Sequence, residues 1–138
     1  MSNNTPTRSI SLLTCSLQTH GCAKVKVTES YGGVANPGLM QSHGGTEFNS
    51  HHANQSIYDM VQDGTQGTAT GDGLVQNLIY YGDAYTASRG YNSGIIPLSG
   101  NLSEAAGATA CYVSDLANRL TGWTYAESKC HEDPEDDA

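Results

Sequence analysis

The sequence predicts a mainly α-helical protein of α+β type: about five helices with a small irregular β-hairpin lobe flanking a groove. Three observations predict it. Apolar residues recur at helical spacing in five separate stretches, one short stretch alternates at period two, and 16 glycines break the 138 residues into short elements. A chain of this length forms one domain with a core of its own. It divides into a flexible start over 1–9, the domain itself over 10–130 and an acidic, disordered tail over 131–138.

The first helix is expected over 10–20, where Ile10, Leu12, Leu13 and Leu17 make the apolar stripe, Thr7 or Ser9 caps the start and Gly21 ends it. Gln18 then falls in the last turn. Lys24, Val25, Lys26 and Val27 alternate as a strand does, and the glycine-rich run after them makes residues 23–50 an irregular or hairpin lobe along one side of the groove. The next helix is expected over 55–63, with Ile57, Met60 and Val61 inward, Asn54 as cap and Gly64 past its end. Another over 72–81 puts Leu74, Val75, Leu78 and Ile79 on one face and stops at Gly82; a fourth covers 83–92. The last, over 109–121, turns Tyr112, Val113, Leu116, Ala117 and Leu120 inward, and Trp123 closes the core behind Gly122. Residues 64–73 and 94–107 read as loops.

Composition excludes several classes of function. Net charge is −8, but five of the fourteen acids crowd into the last seven residues, and the six basic residues are scattered, so no nucleic-acid partner is expected. No stretch is long and apolar enough to span a membrane, and no signal peptide is visible in the first residues. The glycine-rich loop over 64–73 lacks the Gly-Lys-Ser/Thr chemistry of a phosphate loop, and no cofactor is expected. His43, Glu47, His51 and His52 do not make a metal site, because adjacent histidines diverge and no i,i+4 pair exists. Cys15, Cys22, Cys111 and Cys130 are an even, widely spaced set that suits an oxidising compartment and permits three pairings. Asn3, Asn54 and Asn101 each open an Asn-x-Ser/Thr tripeptide. A monomer is expected.

The stretch with most chemical content is Asn36-Pro37-Gly38-Leu39-Met40-Gln41. Proline fixes φ, glycine permits close backbone approach, and the following amide offers both donor and acceptor, a combination suited to a groove floor that touches a ligand.

Taken with Gln18-Thr19-His20-Gly21-Cys22 upstream, Ser42-His43 directly after, Tyr91-Asn92-Ser93-Gly94 downstream and the block over 110–123, this stretch resembles one family. The chain looks like a lysozyme-like domain of the soluble lytic transglycosylase type, related to goose-type lysozymes and most similar to the secreted fungal branch. There the pattern runs Glu-Ser-x-Gly-Cys at a helix end, then Asn-Pro-Gly-Leu-Met-Gln-Ser-His, then Tyr-Asn-Ser-Gly. The resemblance covers the chain from about residue 10 to Cys130. It implies secretion behind a signal peptide and a further N-terminal segment. Cys22, Cys111 and Cys130 stand where that family carries cysteines, whereas Cys15 is peculiar to this chain.

The resemblance implies cleavage or binding of β-1,4 glycans of N-acetylated sugars, peptidoglycan or chitin oligomers, with Gly38, Leu39, Met40, Gln41, Tyr91 and Asn92 facing the sugar. One departure stands against cleavage. The catalytic glutamate of the family falls on Gln18, and an amide has no acidic proton to give; loss of general acid catalysis alone costs roughly 10²–10⁴-fold in rate. Glu29 is the alternative acid, and the place of the goose-type auxiliary aspartate lies near His43, which cannot act as a carboxylate would. The alternative to an enzyme is a non-catalytic glycan-binding protein or secreted modulator that kept the groove and lost the acid.

Overall fold

The computed structural model describes residues 28–30 and 33–127, with side chains from residue 33 onward. The expected first helix with Gln18, the alternating residues 24–27, Cys15, Cys22, Cys130 and the acidic tail lie outside the described residues. What is described is mainly helical, with four α-helices: α1 (Ala53–Gln66), α2 (Leu74–Tyr81), α3 (Ala84–Ser93) and α4 (Tyr112–Leu120). The chain divides into two compact units, Met1–Gln76 and Asn77–Ala138, so that α2 begins in one and ends in the other.

In the first unit β1 (Thr28–Ser30) pairs antiparallel with β2 (Val34–Asn36), Glu29 standing opposite Ala35. The turn over 37–41 follows, and the Gly44 N–H returns to the Ala35 carbonyl at 2.9 Å, folding the next loop back on β2. A single 3₁₀ turn, Ser50–His52, leads into α1; Asn49 caps it by accepting from the His51 N–H at 2.9 Å. The buried stripe of α1 is Ser56, Met60 and Gly64, spaced four apart, with Thr65 beside it. The stripe is small because Met40, 1% exposed, lies on it: a Cβ built on Gly64 would sit 2.4 Å from the Met40 Cβ and 2.5 Å from its Cγ.

This packing corrects the boundaries expected for α1. Gly64 does not end the helix; it is the helical position with room for Met40, and the helix runs on to Gly67, whose N–H bonds the Asp63 carbonyl at 2.8 Å. Asn54 lies inside the first turn rather than capping it. Ile57 is 41% exposed because it is one step, about 100° of helix, off the stripe that Ser56 begins.

The loop after α1 is tied by one hydroxyl. Thr68 Oγ1 donates to the His43 carbonyl at 2.6 Å and accepts from the Gly71 and Thr70 N–H groups at 3.0 and 3.2 Å. The Gln76 amide then straps the start of α2 to the end of α1, accepting from the Gly73 N–H at 3.1 Å and donating to the Gln66 carbonyl.

In the second unit α2 ends as expected at Gly82, which takes a positive φ and bonds the Leu78 carbonyl at 3.0 Å. Asp83 caps α3, its carboxylate accepting from the Tyr85 and Thr86 N–H groups, both at 2.9 Å. α3 packs on α4, burying Ala87, Ser88, Arg89 and Gly90 on one side and Tyr112, Val113 and Leu116 on the other. Gly90 is the close point within this unit: a Cβ there would meet the Tyr81 ring at 2.4 Å and Asn77 Oδ1 at 2.6 Å. Cys111, at the head of α4, is disulfide-bonded.

Leu120 and Trp123, expected inside, are 38% and 61% exposed. On the face shared by Leu74, Val75, Leu78 and Ile79, Leu74 is buried and the other three are 36%, 37% and 79% exposed. Trp123 leaves the core because Gly122 turns the chain at φ 94 and the Trp123 N–H is drawn to the Asn118 carbonyl at 2.8 Å; Ala126, 4% exposed, takes the inward place instead.

Two outcomes follow from these contacts. Gly64→Ala overpacks Met40 and lowers stability by about 1–3 kcal/mol, and Met40→Ala opens a cavity costing about 2–5 kcal/mol. Because the two substitutions share one contact, the double variant recovers part of the sum, with a coupling of about 0.5–3 kcal/mol; urea titrations that return strictly additive losses would mean Met40 is not what Gly64 makes room for. Second, the Asp83 carboxyl is held below its ordinary value by the Thr86 side chain first, then by the Thr86 and Tyr85 N–H groups. Its stabilising effect is therefore full above the unfolded pKa and fades as pH falls through the folded one. Asp83→Ala destabilises by about 1 kcal/mol at pH 7, and the difference from the parent begins to shrink below about pH 4 and is lost only below the lowered folded value; thermal melts at pH 7 and in steps from about pH 4 to about pH 2 follow the loss.

Candidate functional site

The residues expected to face a sugar fall into two groups that the structure describes separately. Gly38, Leu39, Met40 and Gln41 lie together in the first unit; Tyr91 and Asn92 lie in α3, in the second. Gln18 is outside the described residues. Glu29 occupies the middle of β1, described by its backbone alone.

The turn over 37–41 is fixed from below. Gly38 has φ 79, and a Cβ there would meet Met60 Sδ at 2.5 Å and the Thr46 carbonyl at 2.8 Å, so both conformation and space require glycine. The Leu39 N–H points at Met60 Sδ at 3.4 Å, a weak acceptor, and the Gln41 N–H closes the turn on the Gly38 carbonyl at 3.2 Å. The Met40 side chain enters the core over Gly64, so its part is to hold the turn down. Thr46, packed behind Gly38, is tied to α1 by its N–H to Asp63 Oδ2 at 2.7 Å.

Gln41 is the outlier. It holds φ 48, the left-handed region that a residue with a Cβ avoids, at a cost of roughly 1–3 kcal/mol. Strain of this kind persists where the surroundings impose it. Here they do: Met40 is buried before it, Ser42, 5% exposed, is buried after it, and the Gly45 N–H bonds the Ser42 carbonyl at 2.9 Å. Gln41 itself is half-buried.

In the second unit, half-buried Tyr91 and Asn92 sit near the end of α3, which Gly94 terminates in a left-handed conformation. Asn92 Oδ1 accepts from Arg89 Nη2 and from the Thr109 N–H at 3.2 Å. Arg89 itself is fully buried at 0% exposure. Its Nη1 donates to the Glu104 and Thr109 carbonyls at 2.8 and 3.1 Å, and more distantly to Leu102 at 3.5 Å. Burial lowers its pKa from the ordinary value, and Tyr112 acts in the opposite direction. Arg89 Nε is buried without a hydrogen-bond partner among the described residues. The motif residue Asn92 thus belongs to a polar clamp that closes the loop over 94–111 onto α3.

Apolar periodicity does not reveal Arg89, since a charged residue in a helix is expected to face water. The available signal is its setting: a single Arg among Ala87, Ser88 and Gly90, side chains too small to line a core unless something long lies across them.

His51 and His52 are exposed on the 3₁₀ turn, while His43 is half-buried with its carbonyl engaged by Thr68. Among the described residues no group of three His, Cys, Asp or Glu is placed to hold a metal ion, and no helix is long and apolar enough to cross a membrane. No protein-family model matches the chain, and comparison with curated proteins and with solved structures likewise finds no match.

The clamp predicts a strict requirement for the guanidinium fork. Arg89→Lys keeps the charge but cannot serve carbonyls of Glu104 and Thr109 and the Asn92 amide together, and it destabilises by about 2 kcal/mol or more, the scale of hydrogen bonds to a charged group. Hydrogen exchange at the Thr109 amide accelerates in the same variant; an unchanged exchange rate would show that the loop is held by something else.

Proposed function

We propose that this chain is a lysozyme-like protein of the soluble lytic transglycosylase type that binds β-1,4 glycans of N-acetylated sugars, peptidoglycan or chitin oligomers, outside the cell, with cleavage weakened or lost. Its full fold adds a fifth helix over 10–20 and a hairpin lobe flanking the binding groove. The observation that carries this proposal is the pattern Asn36-Pro37-Gly38-Leu39-Met40-Gln41, where a buried turn presents a strained amide. The amide of Gln41 carries both the donor and the acceptor that an acetamido group calls for. The disulfide at Cys111 supports export into an oxidising compartment.

Gln18 at the acid position favours a second reading, a non-catalytic glycan-binding pseudoenzyme or secreted modulator. The two separate on turnover. A glycosidic bond leaves only when its oxygen is protonated, and in this family pattern one side chain delivers that proton.

Turnover of peptidoglycan and chitin oligomers by the parent, Gln18→Glu and Glu29→Gln decides the matter. Gln18→Glu is expected to gain roughly 10²–10⁴-fold over the parent, while Gln41→Ala weakens oligomer binding by about tenfold, the effect of about 1.4 kcal/mol. A parent that is already active and is silenced by Glu29→Gln moves the acid to Glu29. A chain that neither binds oligomers nor gains activity as Gln18→Glu overturns the proposal.

A further inference from the structure

Two Asn-x-Ser tripeptides lie within the described residues, Asn54-Gln55-Ser56 and Asn101-Leu102-Ser103, and the structure builds them differently. Ser56, at the start of α1, is 4% exposed. Its hydroxyl donates to the Ala53 carbonyl at 3.1 Å and accepts from the Asn49 N–H at 3.1 Å, partners close in sequence that engage it as soon as the helix start forms.

Asn101 and Ser103 are exposed, and Leu102 between them is half-buried. From beneath, Arg89 Nη1 holds the Glu104 carbonyl at 2.8 Å, with the Leu102 carbonyl at 3.5 Å, so the loop is anchored by its backbone while the two flanking side chains face water. Asn101 Oδ1 accepts from the Ser103 N–H at 3.1 Å, an Asx turn that brings the side-chain amide beside the serine. The Asn101 carbonyl accepts from the Glu104 N–H at 3.1 Å, which keeps the turn tight.

We propose that Asn101 is a site of N-linked glycosylation and that Asn54 is not. The site depends on the extracellular part of the proposed function and is independent of whether the turn over 37–41 binds sugars. In the transfer, Asn101 Nδ2 attacks C1 of the reducing-end N-acetylglucosamine of a lipid-pyrophosphate-linked oligosaccharide. The Nδ2–C1 bond forms as the C1–O bond breaks, the bonding pair leaves with the lipid pyrophosphate, and Nδ2 gives up one proton to a base of the transferase. The Asx turn engages Oδ1 only, so the hydrogen bond to Ser103 survives the modification. The glycan then projects from a loop tip into solvent, the position at which a bulky polar group disturbs packing least.

The test is secretion of the full chain, behind a cleavable signal, from a eukaryotic host, followed by peptide mass mapping before and after enzymatic release of N-glycans. The expected result is a glycan on Asn101 in the parent, retained in Asn54→Gln and absent from Asn101→Gln and from Ser103→Ala. Ser103→Ala leaves the asparagine in place, so its effect reports the tripeptide and not a lost side chain. A folded, secreted parent with bare Asn101, or a glycan mapped to Asn54, overturns the proposal. If the parent is glycosylated in this host while Cys111 of the chain from its own cells is a free thiol, the extracellular reading falls and the modification falls with it, whereas glycan binding by the turn is left standing.

Discussion

A guanidinium with no exposed surface sets the terms for the second unit. Removing a cation from water is unfavourable by several kcal/mol, and Arg89 has no carboxylate partner among the described residues to offset it. Carbonyl dipoles do so instead, from Glu104, Thr109 and Asn92, each charge-assisted bond contributing on the order of 1.5–3 kcal/mol. The balance is favourable only while all of them converge. That requirement, more than any apolar contact, dictates where the loop over 94–111 runs. The stretch leading into α4 follows from it, since Cys111 begins the helix from a left-handed φ of 54 and its N–H bonds the Ser103 carbonyl at 3.1 Å.

The first unit solves a comparable problem with small residues in place of charge. A turn containing buried Pro37 and Gly38 must lie against a helix, and the helix makes room for Met40 through Gly64 and supplies the flexible Met60 as filler. Sulfur suits this junction because Met60 Sδ both packs against Gly38 and faces the Leu39 N–H. Rigid backing is what makes the strain at Gln41 sustainable.

The helices were legible in the sequence wherever glycine and capping residues coincide with the ends of apolar spacing. Gly82 closes α2, Asp83 opens α3 and the stripe Tyr112, Val113, Leu116 marks α4. Legibility failed where a tertiary partner outvoted the local signal. Gly64 looks like a stop and is a seat for Met40; Trp123 looks like a core residue and is turned out by Gly122. The turn over 37–41 was visible from Pro37 and Gly38, but the positive φ of Gln41 was not, because nothing in a glutamine announces that conformation. The clamp escaped for a different reason: apart from Asn92 Oδ1 its acceptors are backbone carbonyls, which carry no residue identity at all.

The stretch from Gly90 to Gly94 holds two glycines that are not interchangeable in kind. Gly94 has φ 73 with nothing within 4 Å of a built Cβ, so what it needs is a backbone conformation, which asparagine or aspartate also visits. Gly90 is pressed by the Tyr81 ring and Asn77 Oδ1 and needs emptiness, which no other residue supplies. Asparagine or aspartate at Gly94 would therefore meet backbone strain alone, whereas any side chain at Gly90 would have to displace the Tyr81 ring and Asn77.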